Sequence, residues 1–207
     1  MELLSHPARP AGAPEFVVFS HKQNERVSLF CRPSLWRFAE VEFDPWVKDV
    51  RVNQRFIDVE GETIPVALAF ENRYASIIVI SKSRLGSCST TQVQKYADDN
   101  GFMCEVLDAE FLKINRIRYE NYLLMLSYIN KHRESLTERN LSESVKLLPR
   151  DQLTLNSAMQ AVQQVFPEAG AALVFELVRR GALTVQHLSA TKLAGASQIF
   201  YGDVANE

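Results

Sequence analysis

The sequence predicts an α/β fold followed by a small helical domain. Three observations carry that prediction. Short apolar runs at 56–59, 64–70 and 76–80 are separated by the polar turns Glu60-Gly61-Glu62 and Glu71-Asn72-Arg73, the pattern of a strand meander. The second and third runs are nearly continuous in apolar residues, as strands covered on both faces are. Beyond Pro149 the pattern changes to compact helices.

The elements follow in order. Residues 17–30 alternate weakly around Lys22-Gln23-Asn24 and predict a strand or hairpin. Leu35, Phe38 and Ala39 lie at helical spacing in 34–41, with Pro33 at the start and Pro45 as the stop. Val50 and Val52 join 56–59 as the first strand of the meander. A helix then begins at Thr90 or Thr91, shares Val93, Tyr96 and Ala97 on one face, and ends at Gly101. Residues 102–107 read as a fourth strand. A helix separates it from the third, so it is expected to pair in parallel. The order is helix, three-strand meander, helix, strand, with helices on both faces of the sheet.

Residues 116–133 form the strongest helical pattern, with Tyr119, Tyr122, Leu123, Leu126 and Ile129 on one stripe. Residues 135–148 are polar and mixed in charge, and read as a connecting segment. Helices are expected at 155–166, broken by Pro167, and at 169–180, ended by Gly181. Residues 183–188 are a strand or a further helical turn. This second domain is of helix-turn-helix or winged-helix type. The expected division is an arm at 1–15, the α/β domain with its trailing helix at 16–134, the connection at 135–148 and the helical domain at 149–207.

Composition bounds the function. A chain of 207 residues with 46% hydrophobic content can build one substantial core or two small ones. Its apolar runs fall far short of a membrane span. Pro7, Pro10 and Pro14 among small residues suggest a flexible arm and not a secretion signal. Cys31, Cys88 and Cys104 are odd in number and form no CxxC pair, which argues against a zinc site or a disulfide framework. The cytoplasm is the expected compartment. A net charge of −2 does not announce nucleic acid, but a local basic face is all that DNA binding needs.

Glu42-Phe43-Asp44-Pro45-Trp46-Val47 followed by Val52-Asn53-Gln54-Arg55-Phe56 resembles the signature of TnsA-type subunits of heteromeric transposases. In that family an F-D-P-x-V segment leads to a strand carrying x-Q-P-F. Ser20-x-Lys22 and Arg26-Val27 resemble the lead-in, and Arg116, Asn121-Tyr122-Leu123-Leu124 and Tyr128 resemble an R…N-x-x-L-L…Y segment. Leu177-Val178-Arg179-Arg180-Gly181-Ala182-Leu183 is similar to the L…G-x-L motif of the family's C-terminal domain. The resemblance runs from about residue 17 to about residue 200. It implies a restriction-endonuclease-like core and a winged-helix-like tail. It also implies an endonuclease that cuts one DNA strand at each transposon end. A DDE-type transposase subunit cuts the other strand, and an AAA+ ATPase regulator joins them.

That chemistry needs carboxylates to hold Mg²⁺ and a lysine to position water. Aligned on the Phe43-Asp44-Pro45 anchor, the resemblance places the helix acid near Ser34, the P-D-F aspartate at Val66 and the acid or glutamine two residues before the lysine at Ile80. Lys82 alone is retained. The expectation is therefore a pseudo-nuclease with no metal and no cofactor. It would be an accessory protein of DNA transposition that binds transposon-end DNA, the transposase or the ATPase regulator, with a homodimer left open. The alternative is an active Mg²⁺-dependent endonuclease whose acids have moved to Glu40, Glu42 or Glu71. A weaker alternative is a DNA-binding transcriptional regulator that uses only the C-terminal domain.

Candidate nucleic-acid contacts are Lys82, Arg84, Arg116, Arg118, Lys131, Arg133, Arg179 and Arg180. Each has a plain competing role. Lys82 ends a strand, the 116–133 cations fit a solvated helix face, and Arg179-Arg180 sit where a helix dipole favours cations. His6, His21, His132 and His187 lack metal-ligand spacing, and Cys31 lacks an evident base. Ser87 to Thr91 lacks the glycines of a phosphate loop. Trp36, Phe38 and Trp46 are expected in the core.

Overall fold

The computed structural model describes residues 9–149 and 153–202. His6, Pro7 and the start of the expected arm lie outside the described residues. The chain divides into two compact units. One comprises residues 1–42 and 46–114, the other 43–45 and 115–207.

The first unit is mixed α/β. Strands β1 (Phe16–Ser20) and β2 (Glu25–Leu29) form an antiparallel hairpin in register Phe16↔Leu29 to Ser20↔Glu25. Helix α1 (Arg32–Glu42) buries Leu35, Phe38, Ala39 and Val41 on its apolar stripe. Four strands follow in spatial order: β3 (Val50–Val59), β4 (Glu62–Glu71), β5 (Ser76–Ser81) and β6 (Met103–Leu107). The first three form the expected antiparallel meander, and β6 pairs with β5 in parallel, from Ile77↔Met103 to Ser81↔Leu107. The β3–β4 turn places Glu60 at φ 53° and Gly61 at φ 86°. Two positive φ values in a two-residue connection match the right-handed strand twist, and Gly61 adopts its value without steric cost.

Helix α2 (Thr90–Asp99) is capped by Ser89, one residue earlier than the sequence suggests. Ser89 and Gln92 form a reciprocal capping box, in which Ser89 Oγ accepts from the Gln92 N–H and the Gln92 side chain accepts from the Ser89 N–H. Gly101, at φ 74°, ends the helix. Its N–H donates to Asp98 O at 3.2 Å, and the Phe102 N–H donates to Ala97 O at 2.9 Å, closing a Schellman motif.

Both faces of the sheet are covered. Val93 and Ala97 of α2 join a core cluster with Ile57, Val59, Ile64, Val66, Ile78 and Ile80. Helix α1 packs on β4 and β5, and Arg37 is its electrostatic anchor. The Arg37 guanidinium makes a fork with Glu105 of β6, at 2.6 and 2.7 Å, and lies 5.3 Å from the Phe70 ring centroid. At the other end of α1, Glu42 is wholly buried. Its carboxylate accepts from Ser20 Oγ at 2.6 Å and from the His21 N–H at 3.2 Å, tying the β1–β2 hairpin to the helix. The short helix α3 (Ala109–Ile114) closes the unit.

The second unit is built on α7 (Gly170–Arg179), whose residues Ala172 to Val178 are all buried. A helix with no solvent-facing stripe along this stretch must be covered on all sides, and its one buried charge, Glu176, must be paired. Helices α4 (Arg116–Lys131), α5 (Glu138–Leu147) and α6 (Leu155–Gln163) pack on it. Strands β7 (Leu183–Val185) and β8 (Ile199–Tyr201) form a two-stranded antiparallel ribbon after it.

Two expected boundaries are corrected here. The 116–133 helix clusters with the C-terminal helices and not with the sheet, so the division falls at 114/115. The 135–148 segment is no connection. Thr137 caps α5 by accepting from the Asn140 N–H at 3.2 Å, and Leu141 and Ser144 are buried. Segment 43–45 also belongs to this unit, where Phe43 stacks on Tyr122 at 4.9 Å between centroids.

Asn121 is the polar pin of the unit. It is 3% exposed, its Nδ2 donates to Leu188 O and Thr191 O at 2.8 Å, and its Oδ1 accepts from the Leu193 N–H at 2.9 Å. Replacing it with alanine strands three backbone groups that the side chain now satisfies. Asn121→Ala is expected to cost about 2–3 kcal/mol in urea unfolding, and Asn121→Asp at least as much, because a buried carboxylate would face the Leu188 and Thr191 carbonyl oxygens with no donor for either.

Candidate functional site

A cavity of about 190 Å³ opens in the first unit between the start of α1, β4 and the end of β5. Ser34 enters it from the first turn of α1, and Pro65 and Ala67 from the middle of β4. Ser81 ends β5, and Ser83 and Arg84 come from the 3-10 turn Lys82–Arg84. Cys31 and Asn53 complete the polar lining.

Its shape depends on a β-bulge. The pairing of β3 with β4 shifts register between Val52 and Arg55, so β3 carries one extra residue there. Asn53 sits at the bulge with φ 50°, a conformation asparagine tolerates better than most side chains. Its Nδ2 donates to Ser28 O at 2.6 Å, holding β2 against β3.

The three positions at which the resemblance expects metal ligands do not come together. Ser34 lines the cavity, but Val66 and Ile80 belong to the apolar cluster with Val93 and Ala97. Their sequence neighbours Pro65, Ala67 and Ser81 line the cavity instead. Alternate residues of a strand point to opposite faces, so an assignment displaced by one residue lands in the wrong layer. The chemical content changes little. The lining offers serine hydroxyls, a thiol, an amide and the Arg84 guanidinium, and no carboxylate among the described residues. Ser34 Oγ lies 3.0 Å from Cys31 Sγ, and Ser81 Oγ lies 3.0 Å from Ser83 Oγ. Such a set can donate hydrogen bonds to an anionic oxygen, but it supplies none of the charged oxygens that a hard cation selects.

The three acids considered as relocated ligands lie elsewhere. Glu42 is engaged with Ser20 and His21, Glu40 pairs with Arg37 at 3.2 Å, and Glu71 ends β4 and accepts from Ser76 Oγ at 3.2 Å. None of them lines the cavity. Lys82 is exposed and stands 4.0 Å from Asp108, while its neighbour Arg84 is the cation that reaches the cavity. The Cys104 thiol is pushed up to about 11 by burial, aided by Glu105 and Asp98, and is a poor nucleophile at neutral pH.

The remaining cations fall in the second unit. Arg116 is exposed and pairs with Glu120 at 2.6 Å, and Arg118 lies 5.9 Å from the Tyr122 ring. Lys131 and Arg133 line a shallow polar depression with His132 and Glu134. Arg179 and Arg180 have an internal task. Both hold the buried carboxylate of Glu176 at 2.7 Å, and Arg180 also reaches Glu138 at 2.6 Å. Arg179 is only 11% exposed, so its guanidinium serves the helix packing. Asn53, Ser81 and Ser83 escape the sequence reading. The alternation of Ser81 with Ser83 at a strand end is the one signal that points to them.

No protein-family model matches the chain, and no curated protein matches it.

Two outcomes follow. Val66→Asp forces a carboxylate into the apolar cluster and is expected to destabilise by about 4 kcal/mol or more, whereas Ala67→Asp, half-buried at the cavity, costs under about 2 kcal/mol. Chemical denaturation of both variants checks the layer assignment. For Glu176, burial works to raise the pKa, but hydrogen bonds and charge from Arg179 and Arg180 hold it below its ordinary value. Its stabilising effect is therefore complete above the ordinary carboxylate pKa and is lost as pH falls through the lowered value. Glu176→Gln is expected to lose about 3 kcal/mol at neutral pH. Below about pH 4.5 its thermal midpoint should fall less steeply than that of the unaltered protein.

Proposed function

We propose that the protein is a catalytically inactive, TnsA-like accessory subunit of DNA transposition. Its restriction-endonuclease-like domain and winged-helix-like domain would bind transposon-end DNA, the DDE-type transposase subunit or the AAA+ ATPase regulator, and so help assemble the complex. One observation carries the reading. Where the first helix, the second meander strand and the end of the third strand converge, the cavity is lined by serines, proline, alanine and Arg84, with no carboxylate among the described residues. Element order supports it: helix, three antiparallel strands, helix, and a last strand parallel to the third. So does the helical second unit with its two-stranded ribbon. Phosphate contacts from hydroxyls and a guanidinium do not require a metal, so binding can outlast the loss of cutting.

The test is binding and cleavage of one labelled transposon-end duplex in Mg²⁺, Mn²⁺ or EDTA. Equal binding in all three, with no nicks even beside the transposase and ATPase, is the expected result. Metal-dependent nicking that disappears on substitution of Glu40, Glu42 or Glu71 would overturn it and make the protein an active endonuclease.

A further inference from the structure

A second, larger concavity of about 510 Å³ lies in the first unit beside β3 and the β4–β5 turn. Lys48, Arg51, Arg55 and Arg73 line it, with Asp49 and Glu71 as the opposing charges. Four cations less two anions leave a local excess of two positive charges, in a chain whose net charge is −2. The acids only partly offset the cations. Asp49 is 3.6 Å from Arg51, both side chains are at least half exposed, and Glu71 accepts from Ser76 Oγ. Exposed pairs of this kind contribute little and exchange partners readily.

Aromatic rings accompany the charges. The Arg73 guanidinium lies 3.1 Å from the Trp46 ring centroid and 5.8 Å from that of Tyr74. Trp46 is 37% exposed, so it is not the core residue its composition suggests, and Tyr74 is 82% exposed. The turn that presents Arg73 and Tyr74 is fixed. Asn72 Oδ1 accepts from the Tyr74 N–H at 2.9 Å and from the Ala75 N–H at 3.0 Å. A ring held out in water on a fixed turn, next to a guanidinium already stacked on indole, is a preorganised stacking platform.

We propose that this groove binds single-stranded nucleic acid, with phosphates on Lys48, Arg51 and Arg55 and an unstacked base against Tyr74 and Arg73. Cations alone would suit an acidic peptide equally. The rings favour the nucleic acid, because base faces stack on tyrosine and arginine planes whereas a carboxylate can use only the phenol O–H and leaves the ring face uncovered. They also decide against a duplex, whose base faces are covered by their neighbours. The inference does not rest on the transposition reading, since it needs no particular DNA sequence and no partner.

Fluorescence anisotropy of the full chain with labelled oligothymidylate tests it, using a blunt duplex of equal length and polyglutamate as competitors. The unaltered protein is expected to prefer the single strand. Arg51→Ala with Arg55→Ala should weaken binding at least tenfold and reduce the salt slope by about 1.4, the value for two phosphates of a single strand. Tyr74→Ala should weaken it about tenfold with the salt slope unchanged. Arg51→Lys with Arg55→Lys should keep the slope, and unchanged circular dichroism shows that each variant folds. Duplex bound as tightly as the single strand, or polyglutamate displacing it, would overturn the proposal. So would a Tyr74→Ala variant that binds as well as the unaltered protein. Loss of transposon-end binding with oligothymidylate binding intact would count against the transposition reading alone.

Discussion

Strand β5 is buried from Ile77 to Ser81, with β4 antiparallel on one side and β6 parallel on the other. A strand covered on both faces cannot slip in register by one residue without sending every side chain to the wrong layer. That constraint fixes Ile78 and Ile80 in the cluster with α2. It delivers Ser81 to the cavity, and it sets the point where the chain leaves the sheet for the Lys82–Arg84 turn. The fork between Arg37 and Glu105 ties α1 to β6, the parallel neighbour of β5, and the bulge at Asn53 adjusts β3 against β4 in the same sheet.

The pattern of strands was legible because each meander run ends in a turn with a physical signature, such as the Glu60-Gly61 pair with positive φ. The stop of α2 at Gly101 was legible for the same reason. The layer of each residue in β4 was not. Residues 64–70 are almost uniformly apolar, so alternation leaves no trace in composition, and Val66 and Ala67 look equally suited to either face. Helix α5 was hidden by its polarity, since it buries little beyond Leu141 and relies on its Thr137 cap. The stripe on α4 announced a helix but carried no record of which core it would cover.

The candidate site shows the same limit in chemical terms. Residue types alone single out Ser34 and Arg84, which both line the cavity. The company those residues keep required the fold. A pairing of Cys31 with Ser34 and of Ser81 with Ser83 depends on where a helix start and a strand end meet. Arg84 and not Lys82 reaches the cavity because a 3-10 turn rotates successive side chains by roughly a third of a turn.

The three residues Phe43–Pro45 belong to the helical unit although the sheet unit surrounds them in sequence. A segment beginning at residue 115 therefore lacks the ring that stacks on Tyr122. No single cut in the gene separates the two units cleanly. Exchange of either unit by one crossover at residue 115 would leave the helical module without Phe43–Pro45.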